Sequence, residues 1–214
     1  MDVISLGGAV AAFNYADKQM DGALKSYFQH RLETTADYVT NGAWKKIWGK
    51  TFEKLKGKKI EQDPNLEFVD EILNRTKLQT DDNLSELWAR ILANALQGKS
   101  HVRMEYFDVL EKLNPYDAII LNIALSDDYI SNSGTMRKSA RSGILTSAKF
   151  ENNLSMFLAE KYSIDSRSTS VKLSQQRLSE LDLIKKEQVL GLWVLTLLGE
   201  GLKECLTVEA VETV

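Results

Sequence analysis

A mainly α-helical chain, a helical bundle followed by a C-terminal winged-helix-like unit with a short β-hairpin, is what three features of this sequence predict. The first is the run DDNLSELWARILANALQG at residues 81–98. There Leu84, Leu87, Trp88, Ile91, Leu92, Ala95 and Leu96 recur at i, i+3, i+4, i+7, i+8, i+11 and i+12. That is one continuous apolar stripe at helical period, and a helix carrying it must bury that side. The second is the placing of the only two prolines, Pro64 and Pro115, each behind a good capping residue, Asp63 and Asn114, so that both read as first-turn helix residues. The third is a change of pattern near the C-terminus, where LIKKEQ and LGLWVLT flank a polar tip and read as two short strands joined by a hairpin.

Taken in order, residues 1–62 are an N-terminal helical region with a basic amphipathic segment. Its apolar positions Leu24, Phe28, Leu32, Val39, Trp44, Ile47 and Trp48 recur at mixed spacings, and Gly42 and Gly57 are places where it could break. Residues 63–126 are a central bundle. A helix from Pro64 carries Leu66, Phe68, Val69, Ile72 and Leu73 to near Leu78, and the 81–98 helix follows. Asp81, Asp82 and Asn83 can cap that second helix, Asn83 with Glu86 fits a capping box, and Gly98 stands where a left-handed terminating residue is wanted. A third helix carries Met104, Phe107, Leu110 and Leu113. A fourth, from Pro115, carries Ile119, Ile120 and Ile123, and short connectors predict antiparallel neighbours.

Residues 127–150 hold a Ser- and Gly-rich stretch with Arg137, Lys138, Arg141 and Lys149, which predicts a mobile basic loop. Residues 151–214 hold a short helix around Leu154, Phe157 and Leu158, then STSVKLSQQRLSEL at 168–181 with Val171, Ser174, Leu178 and Leu181 turned inward. The hairpin and a last helix from Thr196 with Leu198, Leu202 and Leu206 come next, before an acidic tail with Glu209 and Glu212. Helix, hairpin, helix is the order of a winged unit, and the Pro115 helix also fits as its first element.

Residues 63–121 resemble the core of the Abi-alpha family, which is associated with bacterial abortive infection, phage defence through sacrifice or arrest of the infected cell. The residues that carry the likeness are Leu87, Trp88, Ala89, Arg90, Leu92, Ala93 and Asn94, then Phe107, Leu110, Leu113, Pro115, Asp117, Ala118 and Leu121. More loosely, Leu183 with Ile184, and Leu195 with Thr196 and Gly199, are similar to the turn and the LT-x-x-G segment near the family's end. The resemblance implies a defence role. It brings no catalytic residue with it.

Composition narrows the classes of function. The chain is 43% hydrophobic, enough for a substantial core, and has no apolar run of bilayer-spanning length. Asp2 stands where a secretory signal would carry positive charge, and the single cysteine, Cys205, excludes an intrachain disulfide. A cytoplasmic protein is expected, with a peripheral place at the inner membrane left open. His30 and His101 are far apart in sequence with no partner at ligand spacing, so no metal and no cofactor are expected. Cys205 beside Leu202 and Leu206 reads as a buried structural thiol, and the adjacent pairs Asp81–Asp82 and Asp127–Asp128 read as helix caps and exits. Nothing marks a small-molecule substrate, and a protein partner or self-association is the expected mode of action.

Three surfaces are candidates. Residues 42–51 end like a phosphate-binding loop, but six residues separate the glycines where four are needed, and tryptophans occupy positions that must let backbone approach phosphate. The same stretch makes a basic amphipathic helix, with Trp44, Ile47, Trp48 and Leu55 to one side and Lys45, Lys46, Lys50, Lys54, Lys56, Lys58 and Lys59 around the rest. Seven lysines less Glu53 leave a local charge of +6. Of these, Trp44, Lys45, Lys46, Trp48 and Lys50 could meet an anionic membrane or a phosphate backbone. The plainer reading packs the tryptophans into the bundle and leaves the lysines in water. The 168–181 helix is the second candidate, offering Lys172, Gln175, Gln176 and Arg177 to a DNA groove, although six basic and six acidic residues between Ser163 and Leu206 leave no net charge. The third is Arg90, which lies beside the apolar stripe and either pairs with an acid of a neighbouring helix or faces a partner.

Overall fold

The computed structural model describes residues 38–56, 58, 64–126, 164–165, 168–188 and 193–208 of the 214. The expectations for Leu24, Phe28, His30, Leu32, Asp63, the 127–150 loop, the short helix around Leu154 and the acidic tail lie outside them. The described residues are mainly helical, with one two-stranded antiparallel hairpin near the C-terminus. They fall into two compact units, one ending at Lys112 and resuming at Cys205, the other running from Leu113 to Glu204.

In the first unit, α1 (Tyr38–Leu55), α2 (Leu66–Thr76) and α4 (Met104–Glu111) all pack on α3 (Asp82–Leu96). The stripe of α3 is buried as its spacing requires, but so are Ser85, Ala89, Ala93 and Asn94, so the helix is enclosed on more than the one side that the stripe implies. Small residues at 85, 89 and 93 make this geometry feasible: they recur every four residues and let α1 approach until Thr51 Oγ1 donates to the Ala89 carbonyl at 3.3 Å. Trp88 is 6.0 Å from Phe107 centroid to centroid, and Phe107 meets Phe68 edge-on at 5.6 Å. The largest fully buried side chains, Trp88, Phe107 and a set of leucines and isoleucines, all lie in this unit, each contributing roughly 1.5–3 kcal/mol by burial.

The ends of these helices show which local signals were read correctly. Asp81 alone caps α3, accepting from the Asn83 and Leu84 N–H groups, and Glu86 is not part of a capping box, because lysines of α1 engage it. Gly98 ends the helix at φ 65°, with the Gly98 N–H bonded to the Ala95 carbonyl and the Lys99 N–H to that of Asn94. At α2 the cap is Asn65, which receives the Phe68 N–H, so Pro64 stands before the helix and not in its first turn. Pro64 has no N–H to donate, whereas the Asn65 N–H bonds the Ala95 carbonyl and ties the start of α2 to the end of α3. Gly42 does not interrupt α1: it lies within the helix, facing open space.

In the second unit, α5 (Pro115–Ala124) packs against α6 (Thr169–Glu180). Asn114 and Asp117 form a reciprocal capping box around Pro115. Strands β1 (Ile184–Lys186) and β2 (Trp193–Leu195) pair antiparallel, Ile184 facing Leu195 and Lys186 facing Trp193. Helix α7 (Leu197–Leu206) follows β2 without a loop, with Thr196 as its cap: the hydroxyl accepts the Gly199 N–H at 3.1 Å and donates to the Asp182 carbonyl. The Thr196 N–H donates to the Leu183 carbonyl at 3.1 Å, beside the left-handed Asp182 (φ 54°) that ends α6.

Candidate interaction surfaces

Helix α1 presents a row of lysines to α3. Lys46, Lys50 and Lys54, four residues apart, meet Asp82 and Glu86: Lys46 Nζ is 3.0 Å from Asp82 Oδ1, Lys50 Nζ is 3.7 Å from Glu86 Oε2, and Lys54 bonds Glu86 Oε1. Arg90 joins from below, its Nε 3.1 Å from Glu86 Oε1. The acid expected on a neighbouring helix is instead on Arg90's own helix, one turn away, because Glu86 is in reach there and is shared with the lysines of α1. Trp44 is in the core, with its indole N–H donating to the Leu73 carbonyl at 2.8 Å, so it offers no surface to a membrane. Trp48 is half-buried and stacks on Phe52 at 5.2 Å, while Lys45 is exposed. The tryptophans thus pack as the plainer reading requires, and part of the +6 charge is met by acids that only folding brings near.

Burial by itself raises the Glu86 carboxyl, but the hydrogen bond and charge of Lys54, followed by Arg90, outweigh it and hold the group below its ordinary value of 4.5. A depressed folded-state pKa stabilises the protein above 4.5, and that contribution is lost as pH falls through the lower folded value. Melting temperature followed below pH 4.5 is accordingly expected to fall less steeply in Glu86→Gln than in the natural chain. Parallel curves for the two proteins would contradict this account of the lysine row.

On α6 the exposed face is Lys172, Leu173 and Gln176, with Arg177 at its edge. The expectation that Gln175 faces outward is corrected. Its side chain is buried with Val171, Ser174 and Leu178, because residue 175, one turn on from Val171, lies next to it at the edge of the inward arc, and Leu181 is only half-buried. Gln176 donates to Glu180 at 2.8 Å. Arg177 Nε lies 3.6 Å from Asp117 Oδ2, whose residue is fully buried and whose Oδ1 has no hydrogen-bond partner. Of the four residues proposed for DNA, Lys172 stands outward, Gln176 and Arg177 do so while engaged with acids, and Gln175 does not. Sequence reasoning passed over Leu173, 59% exposed in the middle of that face. The signal was present, as an apolar residue out of phase with Val171 and Leu178.

Cys205 is fully buried, and burial pushes its thiol up to about 12. Its carbonyl accepts the Asn94 side-chain N–H at 2.7 Å, and that of Thr207 accepts the same group at 3.0 Å. The thiol is expected to stay unlabelled by an alkylating reagent at pH 8 in native protein and to label fully in urea. Rapid native labelling, followed by mass, would show that the site opens. Among the described residues no three His, Cys, Asp or Glu side chains are placed to hold a metal ion, and no helix is long and apolar enough to cross a membrane.

A mainly helical protein with a buried thiol, ion pairs between neighbouring helices and an exposed helix face beside a short hairpin is the class that these features define. The model of the Abi-alpha family, abortive infection alpha, matches residues 36–191, and the chain belongs to that family. No curated protein and no solved structure matches it. Several family-like residues now have physical roles: Trp88 and Phe107 pack together, Asn94 anchors the chain at Cys205, Asp117 completes a cap, and Thr196 with Gly199 forms the joint between hairpin and last helix.

Proposed function

We propose that this chain is a non-enzymatic, cytoplasmic abortive-infection protein that acts by binding a macromolecule, with the outward face of α6 as its principal contact. The family match over residues 36–191 carries the defence role. The α6 face is favoured as the contact because it holds Leu173, 59% exposed, between Lys172 and Gln176, and a partner covering that face would remove its apolar surface from water. Expression in phage-challenged bacteria tests both parts, with cell survival and phage yield scored for the natural chain and for Lys172→Ala/Leu173→Ala/Gln176→Ala. Reduced phage yield with the natural chain and normal yield with the folded triple variant support the reading. Unchanged yield with the natural chain ends the defence role, and full protection by the triple variant ends the role of this face.

The second reading is a winged-helix regulator that contacts DNA through Lys172, Gln176 and Arg177, supported by the exposed hairpin residues Lys185 and Lys186. It requires Arg177 to leave the buried Asp117 carboxylate, which costs free energy. Binding to duplex DNA that weakens steeply with salt is the result this reading needs, and no binding at low salt removes it.

A further inference from the structure

Two charge clusters in the first unit carry excess charge of opposite sign. In one, the Asp82 and Glu86 carboxylates are met by Lys46, Lys50, Lys54 and Arg90, four cations around two anions, leaving an excess of +2 on the seam between α1 and α3. In the other, the Arg75 guanidinium is met by Glu71 (2.6 Å), Asp108 (2.6 Å) and Glu111 (3.0 Å), three anions around one cation, leaving −2 on the seam between α2 and α4. The central Arg75 is 17% exposed whereas Asp108 and Glu111 are 55% and 58% exposed, so the excess negative charge faces solvent. No ion pair joins the two clusters among the described residues.

We infer that the chain self-associates head to tail, the basic α1/α3 seam of one copy meeting the acidic α2/α4 seam of the next. Equal and opposite excess charge on two different helix pairs of one unit means that each copy carries both halves of the contact. A nucleic acid or an anionic membrane would be drawn to the first seam and repelled by the second, whereas another copy satisfies both. Such a contact is heterologous, so it propagates into rings or open chains unless capped. Because exposed ion pairs contribute little each, the contact is weak and strongly salt-dependent.

The test is the weight-average mass of the full chain by sedimentation equilibrium. At about 0.01 M salt, where the screening length is roughly 30 Å, the mass rises with concentration above the 24.1 kDa monomer, and at 1 M salt, with about 3 Å, it returns to it. Lys50→Gln/Arg90→Gln and Asp108→Asn/Glu111→Gln each leave a seam without net charge, Lys46 with Asp82 and Lys54 with Glu86 in the first and Arg75 with Glu71 in the second, and each removes most of the association. A mixture of Lys50→Glu/Arg90→Glu with Asp108→Lys/Glu111→Lys restores it, although neither associates alone. A monomer at low salt, association that survives in either neutral variant, or a charge-reversed mixture that stays monomeric overturns the inference. The inference does not depend on the defence role, since a monomeric chain that still protects cells would overturn the contact alone.

Discussion

Trp88→Ala is expected to remove about 3–5 kcal/mol of folding stability, through lost transfer energy and the cavity left beside Phe107. Trp88 is 2% exposed on the helix that α1, α2 and α4 all contact, so no single neighbour can move in without disturbing the other two. With typical domains stable by only about 5–15 kcal/mol, the first unit would sit near its unfolding threshold at physiological temperature. Urea denaturation reads the effect directly, and Trp88→Phe should recover part of it by keeping an aromatic partner for Phe107. A loss below about 1 kcal/mol would mean that the site relaxes freely and that the enclosed α3 is not the centre of the core.

Gly199→Ala is the second large effect, and it arises from backbone. A Cβ at residue 199 would lie 2.1 Å from the Leu183 carbonyl oxygen, the same oxygen that accepts the Thr196 N–H. Helix propensity favours alanine by about 1 kcal/mol, but the overlap forces α7 away from the end of α6, adding strain of about 1–3 kcal/mol or more and loosening a buried hydrogen bond of about 1 kcal/mol. The clash therefore wins, with a net loss of about 2 kcal/mol or more. Thermal unfolding compared with Gly49→Ala is the control, because Gly49 sits in a helix with nothing within 4 Å of its added methyl and should be neutral or stabilised. Equal behaviour of the two variants would refute the joint.

The sequence showed α3 and its stop at Gly98 because helix periodicity and left-handed termination depend on near neighbours. The Asn114–Pro115 start and the hairpin were legible for the same reason, while the return bond from Asp117 that completes the cap came from the structure. Misreadings occurred where a distant group competed for a local one: Glu86 looked like a capping-box partner until the α1 lysines reached it, and Asn65 took the cap of α2 because its N–H could bond the Ala95 carbonyl. Gln175 looked outward because the inward face was drawn through Val171, Ser174, Leu178 and Leu181, yet the arc buried against α5 is wide enough to include it. Leu173 escaped notice because one exposed leucine has meaning only once the face around it is known.

By itself the sequence determined the helical character of this chain, several of its helix ends and its family likeness, since these depend on spacing and on residues within a turn or two. Tertiary structure alone decided that small side chains at 85, 89 and 93 admit α1 to a second side of α3, that Trp44 turns inward, and which acids neutralise which lysines. Those outcomes depend on groups 29 or more residues apart, as with Trp44 and Leu73, Lys54 and Glu86 or Arg75 and Asp108, and their pairing energy exists only after apolar burial has brought the helices together.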